Sequence, residues 1–257
     1  MPHVPFRLKF ALCQAGLILL SACQSLPQSP AVLQSQRARP AGQRDAAISA
    51  YYPLEAGRSW TFALEQTQNG QDNTKFKTLT MFTEPLAPEA GAERAVLRRV
   101  YPDSNVTPTP SLARRFGDRV ELSRYQAPAD TGFLALQPPS GAILPAARGA
   151  GFIIAMQLPF EPGHSWGGRE FQGGSETISV RGEETVNVPA GTFKALLIEH
   201  HLSYDNGKED YLRYWYAPGV GMVKMYEELT AYFGQWLKFR STGVLSKYTL
   251  PNTTARP

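Results

Sequence analysis

From Tyr51 onward the apolar residues of this chain recur at every second position, and that period confines it to β structure. Trp60, Phe62 and Leu64 alternate with Thr61 and Ala63, which puts the large side chains on one face of an extended strand. The pattern returns at 76–82, 95–101, 112–116 and 119–125, and then at 176–181, 183–188, 193–202, 209–217, 220–229 and 236–248. About eleven strands are predicted. No ten-residue amphipathic pattern separates any two of the later strands, so parallel βαβ units are excluded and consecutive hairpins of an antiparallel sheet remain.

The turns between the strands carry their own chemistry. Asn69-Gly70, Gly117-Asp118 and Asn206-Gly207 are short hairpin signals, because these residues tolerate positive φ. Val188-Pro189-Ala190-Gly191 suits a type I turn that closes on a positive-φ glycine, and Pro218-Gly219 fits the centre of a type II turn. One segment repeats. Pro53-Leu54-Glu55-Ala56-Gly57-Arg58-Ser59-Trp60 echoes Pro159-Phe160-Glu161-Pro162-Gly163-His164-Ser165-Trp166. A repeated binding site is one reading. We adopt the other, in which proline and glycine bend the chain into a strand and the tryptophan plugs the core. The echo points to two related halves.

The N-terminus reads as an address. Arg7 and Lys9 precede an apolar run at 10–20, followed by Leu20-Ser21-Ala22-Cys23. Such a run is an export signal that falls short of the ~20 residues needed to cross a bilayer. The run and its closing cysteine resemble a bacterial lipoprotein signal and lipobox. The resemblance implies cleavage before Cys23, diacylation of its thiol and acylation of the new amino group, so that Cys23 is the lipid-attachment residue. Several acyl chains anchor stably where one does not. Gln24 and Ser25 follow, with no aspartate at the second mature position, which by the same resemblance implies sorting to an outer membrane, facing the periplasm.

Residues 23–50, rich in Gln, Ser, Pro, Ala and Arg, read as a flexible tether, with too few large apolar side chains to repay the entropy of ordering. A helical turn capped by Asp45 is expected at 45–51. Residues 51–250 form the β domain, and 251–257 a flexible tail. Cys13 leaves with the signal and Cys23 is capped by lipid, so the domain folds without a disulfide. The net charge of +4 includes Arg7 and Lys9, which also leave with the signal. The remaining balance is too mild to call for a nucleic-acid partner.

Tyr51-Tyr52-Pro53-Leu54 with Gly57 and Trp60, then Val188-Pro189-Ala190-Gly191-Thr192-Phe193, then Trp215-Tyr216-Ala217-Pro218-Gly219-Val220-Gly221 with Val223-Lys224, resemble the TapB-like group of bacterial envelope proteins, a domain of unknown function. The resemblance covers most of 51–248 and is strongest after Glu183. It implies a secreted or lipid-anchored β domain and brings no catalytic residue, cofactor or substrate. The stretch 107–156 matches no pattern.

Neither a G-x-S-x-G elbow, an H-E-x-x-H helix nor a glycine-rich nucleotide loop occurs. His200 and His201 are strand neighbours that point to opposite faces and cannot easily ligate one metal. His200 shares its face with Leu196, Ile198 and Leu202, and His201 shares the other with Glu199 and Ser203. The same alternation separates Glu183-Glu184, Glu209-Asp210 and Glu227-Glu228, so none of these pairs converges on one substrate bond. Tyr211, Tyr214, Trp215 and Tyr216 are read as core formers rather than as the lining of a ligand groove. Residues 143–160 mix apolar side chains with Gly149 and Gly151. They are expected to form a buried crossover or a mobile flap rather than a uniform strand.

The sequence thus predicts an all-β, antiparallel, strongly curved sheet or partly open barrel on a lipid-anchored tether in the cell envelope. No cofactor and no metal site is expected. The expected partners are the membrane, through the lipid, and a bound lipid or an envelope protein. A non-enzymatic binding or assembly role is favoured over a secreted hydrolase with scattered carboxylates and over a structural scaffold of an envelope complex.

Overall fold

The computed structural model describes residues 47–105, 110–124, 151–171, 173–232 and 235–251. The signal, Cys23, Asp45, residues 125–150 (with Ile143 and Leu144) and the tail from 252 lie outside them. After a helical turn at 47–51, thirteen strands follow: β1 (Ser59–Gln68), β2 (Gln71–Asp72), β3 (Thr78–Glu89), β4 (Ala92–Val100), β5 (Ser111–Arg115), β6 (Arg119–Arg124), β7 (Phe152–Gln157), β8 (Ser165–Phe171), β9 (Gly174–Val188), β10 (Gly191–Tyr204), β11 (Glu209–Ala217), β12 (Gly221–Tyr232) and β13 (Trp236–Thr249).

All thirteen belong to one antiparallel sheet, in the order β7-β6-β5-β4-β3-β1-β13-β12-β11-β10-β9-β8, with the short β2 beside β1. Two six-strand meanders are therefore joined where the first strand pairs with the last, Ser59 opposite Thr249 and Gln68 opposite Phe239. The sheet curls into a nearly closed barrel whose seam lies between β7 and β8, in mid-chain. Pairing the first strand with the last leaves β7 and β8 as the sheet's two edge strands, which meet at the seam.

The alternation read from the sequence sorts the faces. Phe62, Leu79, Ile178, Ile198, Leu212, Met225 and Leu245 are fully enclosed, and they belong to a core that draws on both halves. The turns are largely as expected. Asn69 and Gly70 both take positive φ, and Gly219 (φ 75) sits at the centre of a turn closed by Val220 N–H on Ala217 O. Between β10 and β11 only Gly207 takes positive φ, and Gly207 N–H reaches Tyr204 O in a four-residue connection.

Three expectations change. Residues 176–181 and 183–188 are one fifteen-residue strand: the register carries one extra residue in β9, Arg181 beside Gly182 (φ 117), against Leu197 and Ile198 of β10, a bulge that bends β9 without ending it. Residues 152–157, expected to be a flap or crossover, are the strand β7, in which one extra residue, Ala155, opposite Val120/Glu121 of β6 breaks the simple alternation and leaves Ala155 and Met156 both buried. Phe152 is half-buried there beneath the guanidinium of Arg114. The domain also begins before Tyr51, since Ile48 in the helical turn is completely buried and packs into the core.

The repeated segment has a common structural use. Gly57 and Gly163 each take positive φ just before a strand. Trp60 and Trp166 each donate the indole N–H to a main-chain oxygen, of Val220 at 2.6 Å and of Ile154 at 2.8 Å. Each copy opens one meander.

Candidate functional site

Inward-facing side chains do not fill the barrel. A cavity of about 120 Å³ remains, bordered by β1, β3 to β12 and, across one part, by Tyr51, Tyr52 and Pro53 of the N-terminal segment. That segment is fixed in place by Gly219 N–H on Ala50 O, by Arg115 Nη1 on Tyr52 O and by the Tyr51 hydroxyl on Glu183. Trp60, Phe62, Met81, Leu97, Leu122 and Ile153 make much of the wall apolar. The space is far larger than the ~10–15 Å³ that one water requires, and similar to an engineered protein cavity known to take a benzene ring.

Charged groups interrupt the apolar wall at two places. The first is a closed network. Arg169 on β8 donates through Nε to Glu176 Oε2 at 2.7 Å and through Nη2 to Oε1 at 3.0 Å, while its own backbone N–H adds a third bond to Oε2. His200 Nδ1 lies 2.9 Å from Glu176 Oε1. Burial alone would push the Glu176 carboxyl up, but the hydrogen bonds from His200 and Arg169 outweigh it and hold the group far below the usual carboxylate range. Such a carboxylate is a poor proton donor at any physiological pH.

The second is Arg99 on β4. It stands in register with Met81 of β3, which in turn faces Trp60 of β1, so the three side chains form one inward row. Arg99 is only 7% exposed. Its Nη2 donates to Ser111 Oγ at 2.9 Å, and no carboxylate of the described residues pairs with it. Tyr52 and Tyr216 also belong to the cavity wall. Burial pushes both tyrosines well up, and Arg99 pulls Tyr52 partly back.

The residues singled out from the sequence distribute as the alternation requires. His200 points inward and is held by Glu176, whereas His201 lies on the outer face, stacked flat on Tyr211 with ring centroids 4.8 Å apart. Glu183 bonds Lys194 and Tyr51, and Glu184 accepts from the Trp215 indole. Glu227 is buried against the Tyr214 hydroxyl, while Glu228 faces Lys238 and Arg240. Asp210 is buried between the Tyr204 hydroxyl and Thr230, and Glu209 bonds Tyr211. The aromatic cluster divides: Tyr214, Trp215 and Tyr216 are buried core formers as expected, Tyr214 and Tyr216 also line the cavity, and Tyr211 lies on the outer face against His201.

Sequence reasoning passed over Arg99, Arg169 and Glu176. A signal was present. Ala95, Leu97 and Arg99 share one parity, as do Glu176, Ile178 and Val180, and a charged group on the apolar side of an alternating strand is the informative exception. Among the described residues no group of three or more His, Cys, Asp or Glu could hold a metal ion, and no helix is long and apolar enough to cross a membrane.

A family of domains described as DUF3108-like matches residues 178–228, from β9 to β12. No curated protein matches the chain. Among solved structures, the chain is similar to a protein from Bacteroides fragilis described as exported and with a YmcC-like fold, at 15% identity over 78% of this chain and 99% of that one, with a TM-score of 0.43. It is also similar to a protein from Parabacteroides distasonis described as a lipoprotein, at 12% identity over 77% and 98%, with a TM-score of 0.43. The hypothetical lipoprotein YmcC of Escherichia coli matches at 10% identity over 83% and 91%, with a TM-score of 0.29.

Proposed function

We propose that this chain is a lipid-anchored protein of the bacterial envelope whose barrel binds a small amphiphile in its interior without reacting on it. The cavity carries the reading: apolar walls contributed by strands of both meanders, interrupted by a few convergent polar groups, are what a binding site for such a ligand requires. The N-terminal signal and Cys23 support the anchor, with palmitate among the acyl groups and the outer membrane as the site, facing the periplasm. The resemblance to TapB-like envelope domains agrees with that address. A hydrolase is disfavoured because Glu176, the carboxylate on the cavity wall, has both oxygens occupied.

The test is a neutral apolar probe. N-phenyl-1-naphthylamine should brighten on mixing with the purified protein. Ala155, buried on the cavity wall, offers a way to fill the space, and Ala155→Phe should weaken the probe about tenfold while the protein stays folded. Equal binding by the folded variant, or no binding by the wild type, would reject the cavity as the site.

A further inference from the structure

We infer that the ligand is a monoanionic amphiphile and that Arg99 receives its head group, a deepening that rests on the cavity reading above. A guanidinium cannot shed its proton to escape burial, and a buried charge is costly unless it is paired. Among the described residues, two other arginines with side chains less than a tenth exposed, Arg115 and Arg169, obey that rule. Arg115 meets Glu93 and the Tyr52 carbonyl, and Arg169 meets both oxygens of Glu176. Arg99 has a single serine hydroxyl. No carboxylate of the described residues compensates it, and Arg99 lines a cavity able to admit an anion.

The surroundings specify the anion further. Arg169 and Glu176 neutralise each other, so with His200 neutral the cavity wall retains one unmatched positive charge, that of Arg99, which a monoanion balances and a dianionic phosphate monoester does not. Ser111, Tyr52 and Tyr216 line the same cavity, and each carries a hydroxyl, a group able to donate a hydrogen bond to an oxyanion. A carboxylate matches the planar fork of the guanidinium. At about 120 Å³ the space holds a ring or a short alkyl segment rather than a diacyl lipid. The chemical class is a medium-chain carboxylate, or the carboxylate end of a longer chain whose tail emerges from the barrel.

Calorimetric titration of the purified full chain with octanoate, octanol and octyl phosphate separates the possibilities. Octanoate should bind about 10- to 100-fold more tightly than octanol, the range expected of hydrogen bonds to a charged group, and more tightly than octyl phosphate. Arg99→Met should erase the preference for octanoate over octanol, and Arg99→Lys should restore part of it. Without ligand, Arg99→Met should also raise Tm, because it removes an unmatched buried charge, whereas a purely structural arginine would lower it. Octanol equal to octanoate in the wild type would overturn the role of Arg99 and leave the apolar cavity standing. Tighter octyl phosphate would replace the carboxylate with a phosphate head group. Failure of all three ligands would overturn both readings.

Discussion

Trp166 on β8 donates its indole N–H to the main-chain oxygen of Ile154 on β7 at 2.8 Å, across the seam where the backbone ladder of the barrel is interrupted. A side chain therefore does at this joint what paired strands do elsewhere. Trp166→Phe keeps a ring but strands the carbonyl, at a cost of about 1–2 kcal/mol. Amide hydrogen exchange should quicken in β7 and β8 and stay unchanged at the β1–β13 joint. Uniform acceleration over all strands would show that the seam is no separate opening unit.

Acid should loosen the barrel through its buried carboxylates. Glu176 has a folded value far below that of an unfolded glutamate, so its ionised form contributes stability fully present above about pH 4.3 and lost as pH falls below it. Glu228 behaves alike on the outer face. Burial would raise it, but Lys238, Arg240 and Tyr226 bring it down to about 2, so its contribution disappears between roughly pH 4.3 and that value. Urea titrations from pH 7 to pH 2 should show stability falling in this window. Glu176→Gln should flatten the fall and cost about 3 kcal/mol or more at pH 7, because Arg169 loses its buried partner.

Gly174 and Gly207 should respond to alanine in different ways. A Cβ on Gly174 would come within 2.3 Å of the Ser203 carbonyl oxygen, a backbone atom that cannot swing aside. Gly174→Ala should therefore force β9 off β10, at about 1–3 kcal/mol or more. Gly207 (φ +78) has open space around it, so its alanine meets backbone strain alone, about 1 kcal/mol. Thermal denaturation should rank Gly174→Ala as the less stable variant.

Radiolabelled palmitate should enter the wild-type protein in bacteria and fail to enter Cys23→Ser, which should still fold because Cys23 lies well before the buried helical turn. Labelling of the serine variant would reject Cys23 as the attachment site.

The amino-acid sequence by itself determined the fold class, most strands and the face each residue occupies. Those properties follow from a period of two and from turn residues acting over a few positions. That locality is why spacing alone sends His200 and His201, or Glu227 and Glu228, to opposite faces. β7 was not legible, because an extra residue within the strand, Ala155, breaks its alternation, and Gly182 looked like a strand end because a bulge and a turn call for the same residue. Only the tertiary structure decided that the first strand pairs with the last, that the seam falls in mid-chain, and that Arg99, Arg169, Glu176 and His200 look into one cavity. Those residues lie on strands far apart in the chain. What brings them together is the closure of the sheet, set by the summed twist and register of all its strands rather than by the side chains of any one.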